Sequence, residues 1–127
     1  MRGQLVNCPG EIALAAADPL VETAVCMIEH YNAQDADAYV ALMTETACEA
    51  MYRGDVLRDG REGVRAGLKA MFAQFPQNRA EILSSYRLGD RVVLHEKVVR
   101  APGGEQFEVM SIYSFSGDLV DRVEFIR

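Results

Sequence analysis

Apolar residues recur at intervals of three and four in the first half of the chain and alternate with polar residues in the second half. The first regular stripe follows Asp18 and Pro19, a pair typical of a helix start, with the aspartate as cap and the proline in the first turn. The stripe consists of Leu20, Ala24, Met27, Ile28 and Tyr31. This spacing predicts a first helix that ends in the polar residues 32–35.

Two more helices are predicted before residue 76. Asp35 can cap a short second helix, and the apolar residues of that helix are Ala38, Val40, Ala41, Leu42 and Met43. After a polar loop, a third helix opens at residues 59–62 and ends before Pro76. Its inward stripe is Val64, Leu68, Met71, Phe72 and Phe75. Residues 47–52, between the second and third helices, are a candidate for a short strand.

The remainder of the chain has the pattern of an antiparallel sheet. Residues 79–88, 91–100, 106–116 and 119–127 are rich in Val, Ile, Phe and Tyr, and glycine-containing turns separate them. This order predicts an α+β fold with three N-terminal helices packed on the concave face of a curved antiparallel sheet. The concave interior is the expected place for a ligand pocket. Residues 18–127 are predicted to be one domain, and residues 1–17 an N-terminal extension.

Composition narrows the class of partner. Half of the 127 residues are apolar and a quarter are charged, which is the balance of a soluble globular domain. The formal net charge of −6 argues against a nucleic-acid partner, because phosphate binding needs a clustered positive surface. No apolar stretch approaches the roughly twenty residues of a membrane span. We therefore expect neither nucleic acid nor membrane as a partner.

The cysteines and histidines do not form a metal-binding pattern. Cys8, Cys26 and Cys48 are odd in number, and the last two have apolar neighbours, which favours buried, reduced thiols. Reduced thiols favour a cytoplasmic location. Neither His30 nor His95 belongs to a set of three or four His and Cys residues at metal-ligand spacing, so we expect no metal site and no cofactor.

Four segments carry a family resemblance. They are Tyr-Asn-Ala-Gln-Asp-Ala-Asp-Ala-Tyr at 31–39, Gly-Arg-Glu-Gly-Val-Arg at 60–65, Gly-Asp-Arg-Val-Val at 89–93 and Ile-Tyr-Ser-Phe-Ser-Gly-Asp-Leu-Val at 112–120. In this order and spacing the chain resembles the nuclear transport factor 2-like superfamily, in its SnoaL-like and ketosteroid-isomerase-like branch. The resemblance covers nearly all of residues 19–127 and implies a cone-shaped, cystatin-like fold.

The resemblance does not decide the function. The superfamily includes isomerases, epoxide hydrolases, polyketide cyclases, dehydratases and noncatalytic binding or association domains. Overlaid on a ketosteroid isomerase, the helix tyrosine, the aspartate base and the late aspartic acid correspond to Met27, Met51 and Ser111. A thioether can neither donate a strong hydrogen bond nor take a proton. We therefore do not expect standard ketosteroid isomerase activity.

The same overlay predicts which residues face the cavity. The strand residues are Leu94, Glu96, Val98, Val109, Ser111, Tyr113, Arg122, Glu124 and Ile126, and a shift of one residue in register would turn a strand's set outward. The residues from the helices are Met27, Tyr31, Met43 and Leu68, with Met51 from the short strand. The predicted pocket is apolar and Met-rich and binds a small, largely apolar organic molecule. The same methionines would equally fill an ordinary core.

Three charged residues are the candidates for chemistry. Glu96 and Glu124 around the guanidinium of Arg122 could act as base and acid on a bound water or an epoxide, with the hydroxyl of Tyr31 presented to the cavity. The alternative is a structural charge cluster at a sheet edge or dimer face, with the hydroxyl of Tyr31 bonded to Tyr113 or Glu96 for structure alone. Two functions stay open: a cofactor-free isomerase, lyase or hydrolase, or a noncatalytic ligand-binding or association module.

A homodimer is implied by the resemblance, since members commonly pair through the outer surface of the sheet. By strand alternation Val93, His95 and Val99 lie on that outer face, which would otherwise expose much apolar surface. We therefore expect a second copy of the chain to cover the outer sheet face. His30 lies off the apolar stripe of its helix and is expected to be exposed.

Overall fold

The computed structural model describes residues 18–127, and the predicted extension at residues 1–17 lies outside the described residues. The described part contains three helices and six strands. The helices are α1 (Pro19–Asn32), α2 (Ala36–Ala41) and α3 (Gly60–Gln74). The strands are β1 (Met43–Met51), β2 (Val56–Asp59), β3 (Arg79–Leu88), β4 (Arg91–Val99), β5 (Gln106–Ser116) and β6 (Leu119–Ile126).

The first two helices begin at side-chain caps. Asp18 Oδ1 accepts hydrogen bonds from the backbone N–H groups of Leu20 and Val21, at 3.1 and 3.3 Å. Asp35 Oδ1 accepts one from Ala38 N at 3.0 Å. These bonds satisfy N–H groups that have no partner inside a helix, so a cap fixes where each helix starts.

The second helix is shorter than predicted. It ends at Ala41, and Met43, which was predicted to belong to it, begins β1 and pairs with Val120 of β6. A single short apolar run suits either element, and the pairing with a distant strand decides between them. Strand β1 therefore starts four residues before the predicted segment 47–52.

The six strands form one sheet in the order β2-β1-β6-β5-β4-β3. Every neighbouring pair is antiparallel except β1 with β6, which is parallel. The sheet was predicted to be antiparallel throughout, so this pair is a departure. Consecutive strands joined by tight turns must run antiparallel, whereas β1 and β6 lie at opposite ends of the chain and no hairpin constrains them.

Strand β2 was predicted to be part of a polar loop. It is a four-residue edge strand that pairs with β1, and its Val56 and Leu57 are exposed. A short edge strand without a buried face has no alternating pattern from which to predict it.

A bulge in β6 changes which side chains face the helices. Phe115 of β5 lies opposite Val120, but the preceding residue Ser114 lies opposite Arg122, so Asp121 is an extra residue on β6. An extra residue reverses the alternation of a strand. Val120 and Val123 are therefore both buried although they are three residues apart.

The helices pack against one face of the sheet and form the core with it. Along β4 every second residue from Val92 to Val98 is buried. On α3, Val64, Leu68 and Phe72 are buried at intervals of four residues. Both patterns place the apolar side of each element between the helices and the sheet. The predicted α+β architecture is confirmed.

The cysteine prediction is wrong for one residue. Cys48 is a free, half-buried thiol, whereas Cys26 is disulfide-bonded. Apolar neighbours indicate burial, and burial suits a disulfide as well as a thiol, so the sequence did not distinguish them. Between residues 18 and 127 no helix is long and apolar enough to cross a membrane.

Candidate functional site

A cavity of about 230 Å³ lies between the helices and the inner face of the sheet. This volume is below the roughly 300–1,000 Å³ of sites for drug-sized ligands, so the cavity fits a small molecule. Its polar lining consists of Glu49, Glu96, Ser111, Tyr31, Tyr39, Tyr113, Arg58, Arg100 and Arg127. Its apolar lining consists of Ile28, Met51, Leu57, Leu68, Met71, Val98, Phe107, Val109 and Phe125.

Glu96 is the buried carboxylate that lacks a full set of partners. It projects from the inner face of β4 and is 4% exposed. Its Oε2 has no hydrogen-bond partner among the described residues, while Ser111, on the neighbouring strand β5, hydrogen-bonds to the carboxyl group. A half-satisfied buried carboxylate is costly, and natural folds seldom keep one without a use.

Burial is the main cause of an altered acidity at Glu96. It raises the pKa of Glu96 from its ordinary value of 4.5 to about 7; the hydrogen bond with Ser111 opposes the shift, and the negative charge of Glu49 adds to it. Near neutral pH the carboxyl group therefore exists in both its protonated and its ionised form. A group in that state can both take and give a proton.

Both oxygens of Glu49, the second buried carboxylate, have hydrogen-bond partners. It projects from β1, is 1% exposed, and its Oε2 accepts a 2.8 Å hydrogen bond from the hydroxyl of Tyr39. Its Oε1 accepts a 2.7 Å hydrogen bond from Nη1 of Arg58, on β2. We refer to Tyr39, Glu49 and Arg58 as the Glu49 triad. Since both oxygens are bonded and the charge is paired, this carboxylate has a structural role.

The tyrosine hydroxyls of the cavity remain protonated. Burial raises the pKa of Tyr31, Tyr39 and Tyr113, so all three are neutral hydrogen-bonding groups near pH 7. Tyr31 accepts a 2.6 Å hydrogen bond from Nδ2 of Asn78, whose Oδ1 accepts one of 2.9 Å from Nη1 of Arg100. Tyr31 is therefore held by Asn78 and not, as the structural alternative had it, by Tyr113 or Glu96.

Eight of the residues predicted to face the cavity line it together: Tyr31, Met51, Leu68, Glu96, Val98, Val109, Ser111 and Tyr113. Met27, Met43 and Leu94 do not line it and are fully buried in the core. The methionines among the lining residues are Met51 and Met71, fewer than the predicted Met-rich pocket requires. Periodicity identifies the buried side of a helix or strand, but it does not tell which buried side chain borders a void.

Arg122 and Glu124 do not face the cavity, and the prediction that they join Glu96 there is wrong. They lie opposite Ser114 and Ile112 of β5, on the outer face of the sheet, because the bulge at Asp121 reverses the alternation of β6. Arg122 Nε and Glu124 Oε2 do form an ion pair of 3.3 Å. The pair matches the alternative of a structural charge cluster. Ile126, predicted to face inward with them, is exposed.

Several polar residues of the cavity were missed. Glu49 lies two residues before Met51 on the same strand, so alternation from Met51 would have placed it in the cavity. Arg100 follows Glu96 and Val98 at the same spacing of two residues, so alternation would have placed it in the cavity as well. Arg58 carried no such signal, because β2 itself has no buried pattern.

The two histidines lie away from the cavity. His95 is on the outer face, where its Nε2 lies 2.6 Å from Oε1 of Glu108. His30 is half-buried, and its Nε2 lies 3.6 Å from the sulfur of Cys26, so its predicted exposure is only partial. Across residues 18–127 no group of three or more His, Cys, Asp or Glu side chains is arranged to hold a metal ion.

Comparison with known families agrees with the fold. The model of the SnoaL-like domain matches residues 25–123. The chain therefore belongs to the SnoaL-like domain family. No curated protein matches it.

Solved structures show the same architecture. An uncharacterized cystatin fold protein from Novosphingobium aromaticivorans is 54% identical, with 84% of this chain and 97% of that chain covered and a TM-score of 0.81. A protein with a ketosteroid isomerase-like fold from Catenulispora acidiphila, in complex with trimethylamine, is 15% identical, with 84% and 85% covered and a TM-score of 0.72. A protein from Jannaschia, provisionally assigned as a SnoaL-like polyketide cyclase, is 16% identical, with 85% and 84% covered and a TM-score of 0.71. The last two share the fold alone.

The Glu49 triad predicts the effect of removing its arginine. Arg58→Ala leaves the charge of Glu49 buried with only a neutral partner. We expect the free energy of unfolding at pH 7 to fall by roughly 3 kcal/mol, at the low end for a broken buried pair because the Arg58 side chain is 27% exposed. Chemical denaturation measures this loss. Adding Glu49→Gln should recover most of it, and Arg65→Ala, in a solvent-exposed pair, should change little. A loss below about 1 kcal/mol for Arg58→Ala would contradict a buried, ionised Glu49.

The raised pKa of Glu96 predicts a pH dependence of stability. Because the folded protein holds this proton more tightly than the unfolded chain, the stabilisation is complete below pH 4.5 and is lost as the pH rises through about 7. The loss is roughly 3 kcal/mol, from about 1.4 kcal/mol per pKa unit. Denaturation of wild type and Glu96→Gln across this range should show the slope only in wild type. Glu124→Gln, on the outer face, should keep it. Equal slopes in wild type and Glu96→Gln would refute the assignment.

Proposed function

We propose that this SnoaL-like domain binds a small organic molecule in the cavity and transfers a proton on it without a cofactor, with Glu96 as the acid-base group. The observation that carries the proposal is the buried Oε2 of Glu96, which lines the cavity and has no partner among the described residues. A carboxyl group whose pKa lies near 7 suits this role, because proton transfer is most efficient when the pKa of the catalyst is near the working pH.

The chemistry would proceed in two proton transfers. Ionised Glu96 takes a proton from a carbon next to a carbonyl group of the substrate, and the electron pair of the C–H bond moves toward the carbonyl oxygen. Neutral Glu96 then returns the proton to another atom, which completes an isomerisation, or protonates a departing group, which completes an elimination. No electrons are gained or lost overall, so no redox partner is needed.

Tyr31 supports this chemistry as a hydrogen-bond donor. Its oxygen accepts from Asn78, whereas its own proton is not committed to any described partner. It is therefore a hydroxyl that can donate to a substrate oxygen as negative charge develops there. Tyr39 is less suited, because its proton is donated to Glu49.

The size and lining of the cavity support a small ligand with an apolar body. Met51, Leu68, Val98 and Val109 offer it apolar contact. The relative from Catenulispora acidiphila holds trimethylamine, a molecule of this small size. A mechanism with two carboxylates around one arginine is not part of the proposal, since Arg122 and Glu124 lie on the outer face.

A noncatalytic binding module is the second candidate, and a specific observation favours it. The polar groups other than Glu96 are largely bonded to one another, in the Glu49 triad and in the series from Tyr31 through Asn78 to Arg100. Such satisfied networks can serve structure alone. The two candidates differ in whether Glu96 moves a proton of a bound molecule.

We further propose that the chain forms a homodimer through the outer sheet face. A groove on that face includes Val93 and Ile112 and is bordered by the large apolar side chains of Tyr52, Tyr86 and Leu88. Tyr86 and Leu88 are 60% and 85% exposed. Clustered exposed apolar side chains of this kind mark interaction surfaces. A second copy that covers the groove would remove them from water.

A cytoplasmic location remains part of the proposal. The free thiol of Cys48 supports it, since unpaired cysteines persist in reducing compartments. The disulfide at Cys26 does not support it. Tracking a tagged chain by cell fractionation would decide the location independently of the function.

Proton transfer is tested by exchange of carbon-bound hydrogen for deuterium. Ketones and keto acids of small size, incubated with the protein in heavy water, should exchange at the carbon next to the carbonyl, as monitored by proton NMR. For at least one such probe, Glu96→Gln should reduce the catalysed rate by a factor of about 100 or more. The rate of the wild type should rise with pH through about 7, as Glu96 ionises. Glu124→Gln serves as the matched control and should exchange like the wild type. Probes that bind without Glu96-dependent exchange would favour the noncatalytic module.

Dimerisation is tested by placing a charge in the groove. Ile112→Lys would bury an ammonium group in the proposed interface, where the carboxylate opposite it, Glu124, is already paired with Arg122, so we expect a monomer where the wild type is a dimer. Sedimentation velocity at micromolar concentration measures the difference. Gln74→Lys, at an exposed position of α3, adds the same charge elsewhere and should leave the dimer intact. A monomeric wild type would contradict the proposal.

A further inference from the structure

Two arginines that line the cavity have no carboxylate partner in the described part of the chain. Nη1 of Arg100, directly after β4, donates to Asn78, and its guanidinium lies 4.9 Å from the ring centroid of Phe107. The guanidinium of Arg127 lies 3.6 Å from the same centroid. We call Arg100, Phe107 and Arg127 the arginine rim. Arg58 differs from both, because Glu49 neutralises it.

The arginine rim makes the cavity electropositive within an acidic protein. The charges of Arg58 and Glu49 cancel. The remaining charged side chains are those of Arg100 and Arg127, each +1, and of Glu96, whose charge lies between 0 and −1. The side chains that line the cavity therefore carry a net charge of at least +1, whereas the formal net charge of the whole chain is −6. Fixed charges of one sign in a cavity attract a ligand of the opposite charge and repel a ligand of the same charge.

The contacts of the arginine rim leave donors for a ligand. Stacking on Phe107 uses the flat faces of the guanidinium groups and leaves N–H groups at their edges available. A planar guanidinium edge matches the two oxygens of a carboxylate, and such bidentate pairs are among the stronger hydrogen bonds in proteins. Because the stacked groups are already oriented, binding an anion there costs little ordering.

The distance from the arginine rim to Glu96 suits a small molecule. Arg100 follows Glu96 by four residues, which in extended chain corresponds to about 13 Å between Cα atoms. Both side chains line the same cavity, with Val98 and Phe107 between them in the lining. A molecule with a few carbon atoms can therefore touch an arginine with one end and Glu96 with the other.

We propose that the ligand is a small organic acid whose carboxylate is bound by Arg100 and Arg127 and whose carbon skeleton extends along the apolar wall to Glu96. This inference rests on the proposed function for the role of Glu96 but makes a separate statement about recognition. It replaces the largely apolar ligand expected from the sequence by one that is apolar in the middle and anionic at one end.

The test compares an acid with its neutral ester. The probes are 4-oxopentanoate and methyl 4-oxopentanoate, which share a carbon skeleton and differ in charge, and binding is measured by ligand-observed NMR titration. We expect the acid to bind at least about tenfold more tightly than the ester, which corresponds to one good charged contact. Arg100→Gln and Arg127→Gln should each remove most of this preference and leave the affinity for the ester unchanged. Arg122→Gln, an arginine of the outer face, is the matched control and should retain the preference.

The results separate this inference from the proposed function. Titrations in the Glu96→Gln background report recognition alone, so a retained preference without any deuterium exchange in the wild type would support the acid and reject the proton transfer. Equal binding of acid and ester, no saturable binding of the acid up to about 10 mM, or tighter binding of inorganic phosphate than of the acid would each overturn the inference. Arg127→Gln, at an exposed position, keeps the test decisive even if Arg100→Gln unfolds.

Discussion

The structure depends on how the fold accommodates two buried carboxylates beside one cavity. The hydroxyl of Tyr39 and the guanidinium of Arg58 satisfy both oxygens of Glu49, so its negative charge is kept in the interior. Burial moves the pKa of Glu96 to about 7, and the fixed charge of Glu49 adds a smaller contribution in the same direction. The two glutamates are chemically alike, and their partners give one a structural role and leave the other available for chemistry.

The fold supports this difference through its strands. Strand β2, a short edge strand, brings Arg58 to Glu49, while the central strands β4 and β5 place Glu96 beside Ser111 without a cation. An edge strand supplies the partner of Glu49 and the sheet interior that of Glu96, so the two carboxylates have different environments in the lining of one cavity. The arginine rim adds a third, positively charged environment at the ends of β4 and β6, so the cavity has a distinct polar group for each end of a small ligand.

Much of this was predictable from the sequence, and the failures have physical causes. Capping residues such as Asp18 and the alternation of β4 predicted the helices and the sheet, and the family resemblance predicted the inward direction of Glu96. The outward direction of Arg122 was not predictable, because a single extra residue at Asp121 reverses β6 and leaves no mark in the composition. Arg58 was missed because its strand lacks a buried face. Met27 was misplaced because a periodic pattern does not separate a packed interior from a cavity wall.

The central claim is that Glu96 is a buried carboxyl group poised to exchange a proton near neutral pH. Titration of its side-chain carboxyl carbon by carbon-13 NMR, assigned by comparison with Glu96→Gln, measures this property without any ligand. The account predicts a midpoint near pH 7. A midpoint near the ordinary value of 4.5 would mean that water or another partner already stabilises the ionised form, and it would contradict the role given to this residue.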